Sequence, residues 1–247
     1  MLLLADILNS VFPQPVFLYT MKKPVIAILI FLITISLVNA QKENKKSLAG
    51  INAGISIPFA DFADKKMENY SGFAGAGANI EIDFFRYTGR FFGLSSNIGY
   101  SNISFNEKAY KSEYDRILNN FGETTVNAGN YQTLKGLLGF ILKIPETKHT
   151  EVLLVFQAGC ALNIHPELLV ANSELGEINS IKRNSEWSSM SNAGIKINYY
   201  LNEKYGISLN YGLNFTKPVF SDETSVERIF VLPVRYQNIN IGLVINL

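Results

Sequence analysis

The chain has 247 residues, 47% of them apolar, and its 22 basic and 21 acidic side chains give a formal net charge of +1. This length allows one large domain or two small ones. The near-neutral charge argues against a nucleic-acid partner and against a solvating acidic tail. The single cysteine, Cys160, excludes a framework held by internal disulfides.

Residues 21–40 have the layout of a secretory signal peptide. Two lysines follow the methionine that opens this segment, a mostly apolar run comes next, and small residues precede the polar Gln41. We predict Sec-type export and cleavage between Ala40 and Gln41. A retained anchor helix is the alternative, although the apolar run is short for a membrane span. Residues 1–20 are interpreted as a mis-assigned start or an extra N-terminal extension, which leaves 41–247 as the mature domain.

Beyond residue 46, apolar and polar side chains alternate with a period of two, which indicates strands that have one apolar face. Most of these stretches have roughly 10–15 residues, whereas strands of soluble sheets usually have about five or six. A tilted strand needs about 9–11 residues to cross the hydrocarbon core of a membrane. The predicted strands are 48–58, 73–85, 91–105, 131–144, 152–162, 192–199, 205–215 and 238–247.

The connections between these strands alternate strictly between short and long. Short connections occupy 86–90, 145–150 and 202–204, and long polar ones occupy 59–72, 106–130, 164–187 and 216–229. Outer-membrane barrels have short periplasmic turns and long extracellular loops, so this alternation is typical of them. The sequence therefore predicts an all-β fold, an eight-stranded antiparallel up-and-down transmembrane β-barrel in the outer membrane of a Gram-negative bacterium, with both termini in the periplasm.

A soluble lipocalin-like barrel is the main alternative fold. Such a barrel keeps its apolar face inside and begins with a Gly-x-Trp motif, whereas the only tryptophan here is Trp187. The membrane barrel instead turns Ile, Leu, Val, Phe and Ala toward lipid and encloses Gly, Asn, Ser and charged residues.

Aromatic residues flank the predicted short turns. In a membrane barrel they would form a girdle at the periplasmic interface, where amphipathic rings are favoured. Ordinary edge packing in a soluble sheet is the alternative for each residue taken singly. The predicted girdle consists of Phe84, Phe85, Tyr87, Phe91, Phe92, Tyr199, Tyr200 and Tyr205.

Five charged residues share the phase that is predicted to face the lumen. They are Glu81, Asp83, Lys135, Lys143 and Lys196. Unpaired buried charge is costly, so opposite signs in one lumen are expected to pair. We predict a salt-bridged plug that fills the barrel, and a gated ion path is the functional alternative.

The sequence offers little that points to catalysis. His165-Pro166-Glu167 lies at the base of a long loop, where barrels that deacylate or acylate lipid A hold His, Ser and a carboxylate, but the His-to-Ser spacing of those enzymes is not evident. His149 lies in a short turn, and a surface histidine is the simpler interpretation of both. Neither a metal-ligand spacing nor a phosphate-binding Gly-rich loop is present. We predict no catalytic residue, no cofactor and no metal.

The mature chain resembles the small outer-membrane β-barrel proteins of Bacteroidetes, including the PorT-like group. The stretch 131–143, YQTLKGLLGFILK, carries a tyrosine and a closing lysine as that group does, but Lys135 and Gly136 replace the usual Pro and acidic residue. The ending NIGLVINL is similar to a terminal strand read by barrel-assembly machinery, with Leu247 in place of the commoner aromatic. The resemblance implies the barrel fold and no particular activity.

We therefore expect a non-enzymatic, monomeric barrel in contact with outer-membrane lipid, with a structural or surface-interaction role carried by its long loops. The alternatives are a narrow pore or a component of a secretion apparatus, followed by a lipid A-modifying membrane enzyme and a soluble lipocalin-like binding barrel.

Overall fold

The computed structural model describes residues 47–67, 71–119, 121–144, 147, 149–222 and 228–247. The predicted extension 1–20, the signal peptide 21–40 and its cleavage site between Ala40 and Gln41 lie outside the described residues. Within the described ranges, no helix is long and apolar enough to cross a membrane.

The described residues form thirteen strands, one α-helix and one 3₁₀ turn. In chain order they are β1 Ser47–Pro58, the 3₁₀ turn Ala60–Ala63, β2 Ala74–Tyr87, β3 Phe92–Phe105, α1 Glu107–Ile117, β4 Thr124–Ala128, β5 Tyr131–Ile144, β6 Thr150–His165, β7 Leu168–Asn172, β8 Gly176–Ile181, β9 Asn184–Tyr200, β10 Tyr205–Thr216, β11 Val219–Asp222, β12 Arg228–Val231 and β13 Val234–Asn246.

Eight of these strands close into an antiparallel barrel. Their order around it is β1-β13-β10-β9-β6-β5-β3-β2, so each long strand pairs with the long strands before and after it in the chain. The first and last strands close the ring, and their register runs from Leu48 opposite Asn246 to Pro58 opposite Tyr236. This is the eight-stranded up-and-down barrel that the sequence predicts.

The period-two pattern determines which side chains face outward. In β2, Ile80, Ile82 and Phe84 are exposed on the outside, while Glu81 and Asp83 between them are buried in the lumen. The other barrel strands repeat this arrangement, and we call the outward-facing apolar surface the belt. The middle of the interior is polar and the exterior is apolar, whereas a lipocalin-like soluble barrel keeps its apolar face inside. Outward apolar residues of the belt include Ile51, Ile98, Leu138, Ile195, Leu209, Ile241 and Leu243.

The lumen is filled in three layers along its axis. An apolar layer lies near the short turns and consists of Leu48, Phe85, Tyr87, Ile141, Leu153, Val155 and Val244. A middle layer holds buried asparagines, serines and charged side chains. A second apolar layer lies at the mouth where the long connections emerge, and it includes Phe62, Ile103, Tyr131, Phe220 and Tyr236.

Much of the long polar connections is folded. In the range 106–130, Asn106 caps α1 by accepting a hydrogen bond from the Ala109 N–H at 3.0 Å. β4 from the same connection pairs with β7, which pairs with β8, and β11 pairs with β12. We call α1, β4, β7, β8, β11 and β12 together the outer cap. In the sequence analysis these connections are long polar loops, and no secondary structure is assigned within them.

Strands β6 and β9 also extend beyond the predicted ranges 152–162 and 192–199. Their pairing continues as far as His165 opposite Asn184. In this extension β9 has serine at the outward positions 185, 189 and 191 and an exposed tryptophan, Trp187, among them, so the alternation of apolar with polar residues becomes irregular while the hydrogen-bonded ladder continues. The regular hydropathy pattern therefore ends before the strand does.

Candidate functional site in the barrel lumen

The five charged residues that the sequence predicts for the lumen all point into it. Glu81 and Asp83 on β2, Lys135 on β5 and Lys196 on β9 are buried, and the Lys143 side chain is largely buried nearer the short turns. The structure pairs each lysine with a carboxylate rather than gathering all five charges into one cluster.

The first pair joins Lys135 on β5 to Glu81 on β2, over Gly99 of the intervening strand β3. The Lys135 Nζ lies 2.7 Å from Glu81 Oε1 and also donates to Asn214 Oδ1 at 2.9 Å. The amide of Asn238 donates to the same Glu81 oxygen at 2.6 Å. Neutral amides therefore make further hydrogen bonds to both the Lys135 ammonium and the Glu81 carboxylate. Additional hydrogen bonds of this kind are the condition under which a buried ion pair is tolerated.

The second pair joins Lys196 to Asp83. The Lys196 Nζ lies 2.9 Å from Asp83 Oδ2, and the amides of Asn52 and Asn97 each donate to the Asp83 carboxylate at 2.7 Å. Lys196 also lies over the ring of Phe85, 5.0 Å from its centroid. Charge-assisted hydrogen bonds from three other strands therefore converge on one carboxylate.

A third pair contains a residue that the sequence analysis missed. Glu151 is fully buried, and its carboxylate accepts hydrogen bonds from the hydroxyls of Tyr87 at 2.6 Å and Tyr200 at 2.7 Å. Asn198 donates to it at 3.0 Å, and Lys143 Nζ lies 3.3 Å away. Its position in the alternation could have identified it. Glu151 lies one position before the predicted strand 152–162, whose even-numbered residues face outward, so the odd-numbered Glu151 is expected to face the lumen.

With Glu151 included, the ion pairs among the described residues of the lumen involve three lysines and three carboxylates, and each lysine has a carboxylate within 3.3 Å. Glycines make room for two of the pairs. A Cβ at Gly99 would lie 2.7 Å from Lys135 Cε and 3.1 Å from Glu81 Cγ, and a Cβ at Gly50 would lie 3.2 Å from Lys196 Nζ. The absence of side chains at these positions is therefore part of how the ion pairs fit.

Little open volume is left between the ion pairs. The middle of the lumen contains a cavity of about 40 Å³ lined by Glu81, Asp83, Lys135 and Lys196 among others. A cavity of this size holds at most a few water molecules. Together with the apolar layers, this packing leaves little open space in the part of the lumen that the structure describes.

The predicted aromatic girdle divides into two groups. Phe84, Phe91, Phe92, Tyr199 and Tyr205 are exposed on the outer wall near the short turns, where Phe92, Phe140 and Phe156 also stack at centroid distances of 5.8 and 5.4 Å. Phe85, Tyr87 and Tyr200 do not belong to the girdle. Phe85 and Tyr87 are buried in the lumen, and Tyr87 and Tyr200 bind Glu151. They occupy the opposite phase of their strands, so the strand periodicity itself separates them from the outward rings.

The two histidines lie in different surroundings. His165 is buried at the long-connection mouth, with its ring 5.3 Å from Tyr131, 5.5 Å from Phe220 and 5.3 Å from Phe230, centroid to centroid. Its Nδ1 lies 2.8 Å from the carbonyl oxygen of Pro166. His149 is exposed beside Tyr199. Within the described ranges, no group of three or more His, Cys, Asp and Glu side chains could hold a metal ion.

The outer cap is anchored to the barrel rim through α1. Tyr110 packs edge-on against Phe73 at 4.7 Å and near Phe105 at 5.2 Å, and burial raises the pKa of its phenol. The Glu107 carboxylate accepts a hydrogen bond from the Ala128 N–H at 2.8 Å, which joins the helix to the end of β4. On the solvent side, hydrogen bonds from Arg116 lower the pKa of Glu113.

No family model and no curated protein sequence matches this chain. Among solved structures it is similar to Ail, the attachment invasion locus protein of Yersinia pestis, with 10% identity over 83% of this chain and 100% of that one, and a TM-score of 0.44. A major outer membrane protein from Thermus thermophilus gives 12% identity over 83% and 100% of the chains, with a TM-score of 0.47. For the N-terminal β-barrel domain of Pseudomonas aeruginosa OprF the identity is 11% over 84% and 100%, with a TM-score of 0.38. At these identities the likeness concerns the barrel fold alone.

Proposed function

We propose that this chain is a non-enzymatic outer-membrane β-barrel with a closed lumen, and that its outer cap is the surface through which it works. The observation that carries the proposal is the contrast between the two regions. Two ion pairs lie between the apolar layers and a third lies at the short-turn end of the lumen, whereas the long connections fold into a helix and two small sheets at the other mouth.

The belt supports placement in a membrane. Large contiguous apolar surfaces are rare on soluble monomers, yet Ile, Leu and Phe side chains stand exposed around all eight barrel strands. In lipid this surface needs no cover, and the closed ladder leaves no unpaired strand edge. We propose outer-membrane location after Sec-type export, with the mature domain at 41–247 and lipid as its surroundings.

The outer cap supports an interaction role. Ile117, Phe121, Leu169 and Leu175 are exposed large apolar residues in or beside its elements. Exposed positions on connecting segments that a rigid barrel holds in place are where binding residues concentrate. The proposed partner is another molecule of the cell surface or a component of a secretion apparatus. Membership of the PorT-like group of Bacteroidetes, on the stretch 131–143 and the final strand, belongs to the same proposal.

The first test is fractionation of the native protein, followed by electrophoresis of boiled and unboiled samples. We expect the protein in the outer-membrane fraction and a faster band when it is not boiled, because a closed barrel resists detergent. A soluble periplasmic protein without a heat-dependent shift would contradict the membrane proposal and favour a soluble binding barrel.

Planar-bilayer recording then tests whether the lumen is closed. We expect no steady single-channel steps at protein amounts for which a porin control inserts and conducts, because the ion pairs and both apolar layers obstruct the path. Reproducible steps that depend on the inserted protein would overturn the closed lumen and favour the narrow pore.

A further inference from the structure

The outer wall of the barrel carries a trough on the side toward the outer cap. It has a volume of about 440 Å³ and lies over the outer ends of β6, β9, β10 and β13. Its floor contains the small residues Ala158, Ser189 and Ser191, and Phe215, Lys217 and Arg235 contribute to its sides. The belt lies toward the short turns from it and consists of larger apolar side chains.

The strand register explains why the trough forms there. Ala158 is opposite Ser191, Ser191 is opposite Phe215, and Phe215 is opposite Arg235, so these four lie in one outward-facing row across four strands. In the next outward-facing row, Cys160 is opposite Ser189. The side chains on β6 and β9 are small, so the outer surface is recessed there. The larger side chains of Phe215 on β10 and Arg235 on β13 form the raised side of the trough.

The charge of the trough is one-sided. Lys217 and Arg235 both contribute to it, and none of the described residues that line it is acidic. Arg235 Nη1 lies 3.7 Å from Asp61 Oδ2, with both side chains close to half exposed, so this contact engages one end of a guanidinium that has five donors. The hydroxyls of Ser189 and Ser191 add neutral hydrogen-bond donors to the trough.

We propose that this trough binds a phosphorylated, acylated lipid of the outer leaflet, with its phosphate against Lys217 and Arg235 and an acyl chain along Ala158 and Phe215. The inference rests on the proposed membrane placement, since the trough opens on the wall that would face lipid. A trough that has the apolar residues Ala158 and Phe215 together with the two cations Lys217 and Arg235 matches a lipid with an anionic headgroup. Ser191 lies between Ala158 and Phe215 in the same outward-facing row, so the acyl chain passes over it, and the hydroxyl of Ser189 suits a sugar or ester oxygen of the lipid.

The test is titration of the folded barrel in detergent with diphosphoryl lipid A, with native mass spectrometry as the readout and phosphatidylethanolamine as the zwitterionic comparison. The double variant Lys217→Ser with Arg235→Ser removes both cations. We expect the apparent affinity for lipid A to fall on the order of tenfold, because charge-assisted contacts to phosphate are lost. The matched control is Arg90→Ser with Lys204→Ser, which removes the same charge at the opposite mouth and should leave the affinity unchanged.

A second variant tests the trough itself rather than its charge. Ser191→Phe places a large ring in the floor and should weaken lipid A binding, because the acyl chain loses its place. Ala53→Phe adds the same ring to an outward-facing small residue of β1 and should have no effect on binding. Loss of affinity in the first variant alone would locate the acyl chain in the trough.

The heat-dependent gel shift of each variant keeps the two proposals separable. If the wild-type barrel shifts on heating but binds lipid A no better than phosphatidylethanolamine, or if the double variant binds as wild type does, the lipid site is overturned and the barrel proposal stands. A wild-type protein that shows neither a shift nor membrane fractionation overturns both.

Discussion

Each lysine of the lumen stands beside a carboxylate that amides or tyrosines also contact. Burying such charges is costly, and the pairing compensates only while both partners are present. Removing Lys135 would leave the Glu81 carboxylate with the amide of Asn238 and no cation. We therefore expect Lys135→Met to destabilise the folded barrel by about 3–5 kcal/mol, as measured by guanidinium unfolding in lipid vesicles.

The double variant Lys135→Met with Glu81→Gln distinguishes an unpaired charge from a packing defect. It removes both charges and keeps an acceptor for Asn238, so it should recover most of the lost stability. Lys204→Met, at an exposed position near the short turns, is the matched control and should change stability little. If the double variant were as unstable as the single one, the loss would come from packing rather than from an unpaired charge.

At this scale, the phase of a residue within a long strand indicates which way its side chain faces. Glu81, Asp83, Lys135 and Lys196 alternate with apolar neighbours, and they face the lumen. Phe85 was assigned to the girdle because it is aromatic and near a turn, although its phase opposes that of Phe84. Nothing in the sequence gives the partners, because which lysine meets which carboxylate depends on how far the strands are staggered around the barrel.

Among the elements, the outer cap is the part that the sequence did not predict. β4 and β7 have five residues each, too few for a period of two to stand out from polar surroundings. α1 buries none of its residues completely, so it lacks the apolar stripe that identifies a core helix. The sequence feature that indicates this helix is local: Asn106, a favoured N-cap residue, precedes a run of good helix formers.

Pairing between β4 and β7 couples two long connections, and this coupling can be tested by deletion. One variant lacks 107–128, a second lacks 168–181, and a third lacks both, with Asn-Gly bridging each gap. We expect all three to keep the heat-dependent shift, because the barrel ladder does not include these residues. The single deletions should aggregate more than the double, since each leaves a strand edge that had a partner. Light scattering after refolding measures this difference.

Two outcomes would change the account of the cap. If the double deletion lost the heat-dependent shift, the cap would be required for barrel assembly rather than for interaction. If the single deletions aggregated no more than the double, the β4–β7 pairing would not be what holds the two connections together.

Over the whole molecule, the barrel was predictable because one repeated constraint sets it. Every long strand must present apolar side chains on one face, and the ladder must close so that no backbone group remains unpaired in lipid. In the sequence, the first condition appears as the period-two alternation along each strand, and the second appears as the alternation of short and long connections between strands. The trough on the outer wall could not be predicted, since it arises from small residues of β6 and β9 that become neighbours only through the strand register.

The direction in which the barrel is inserted in the membrane can be determined with single-cysteine variants. In a Cys160→Ser background, Leu175→Cys lies in the outer cap, Gly89→Cys in the β2–β3 turn and Ile241→Cys in the belt, where the native side chain is 66% exposed. A membrane-impermeant maleimide should label only the cap cysteine on intact cells, because the proposed topology puts the short turns in the periplasm.

Permeabilising the outer membrane should then add labelling at Gly89→Cys, whereas Ile241→Cys should react only after the barrel is unfolded. This last difference separates lipid from water as the surroundings of the belt, because an exposed thiol in water reacts readily and one within the hydrocarbon does not meet a charged reagent. If the reagent labelled Gly89→Cys but not Leu175→Cys on intact cells, the barrel would be inserted in the opposite orientation. Ready labelling of the belt in the native protein would mean that the apolar surface is not covered by a bilayer.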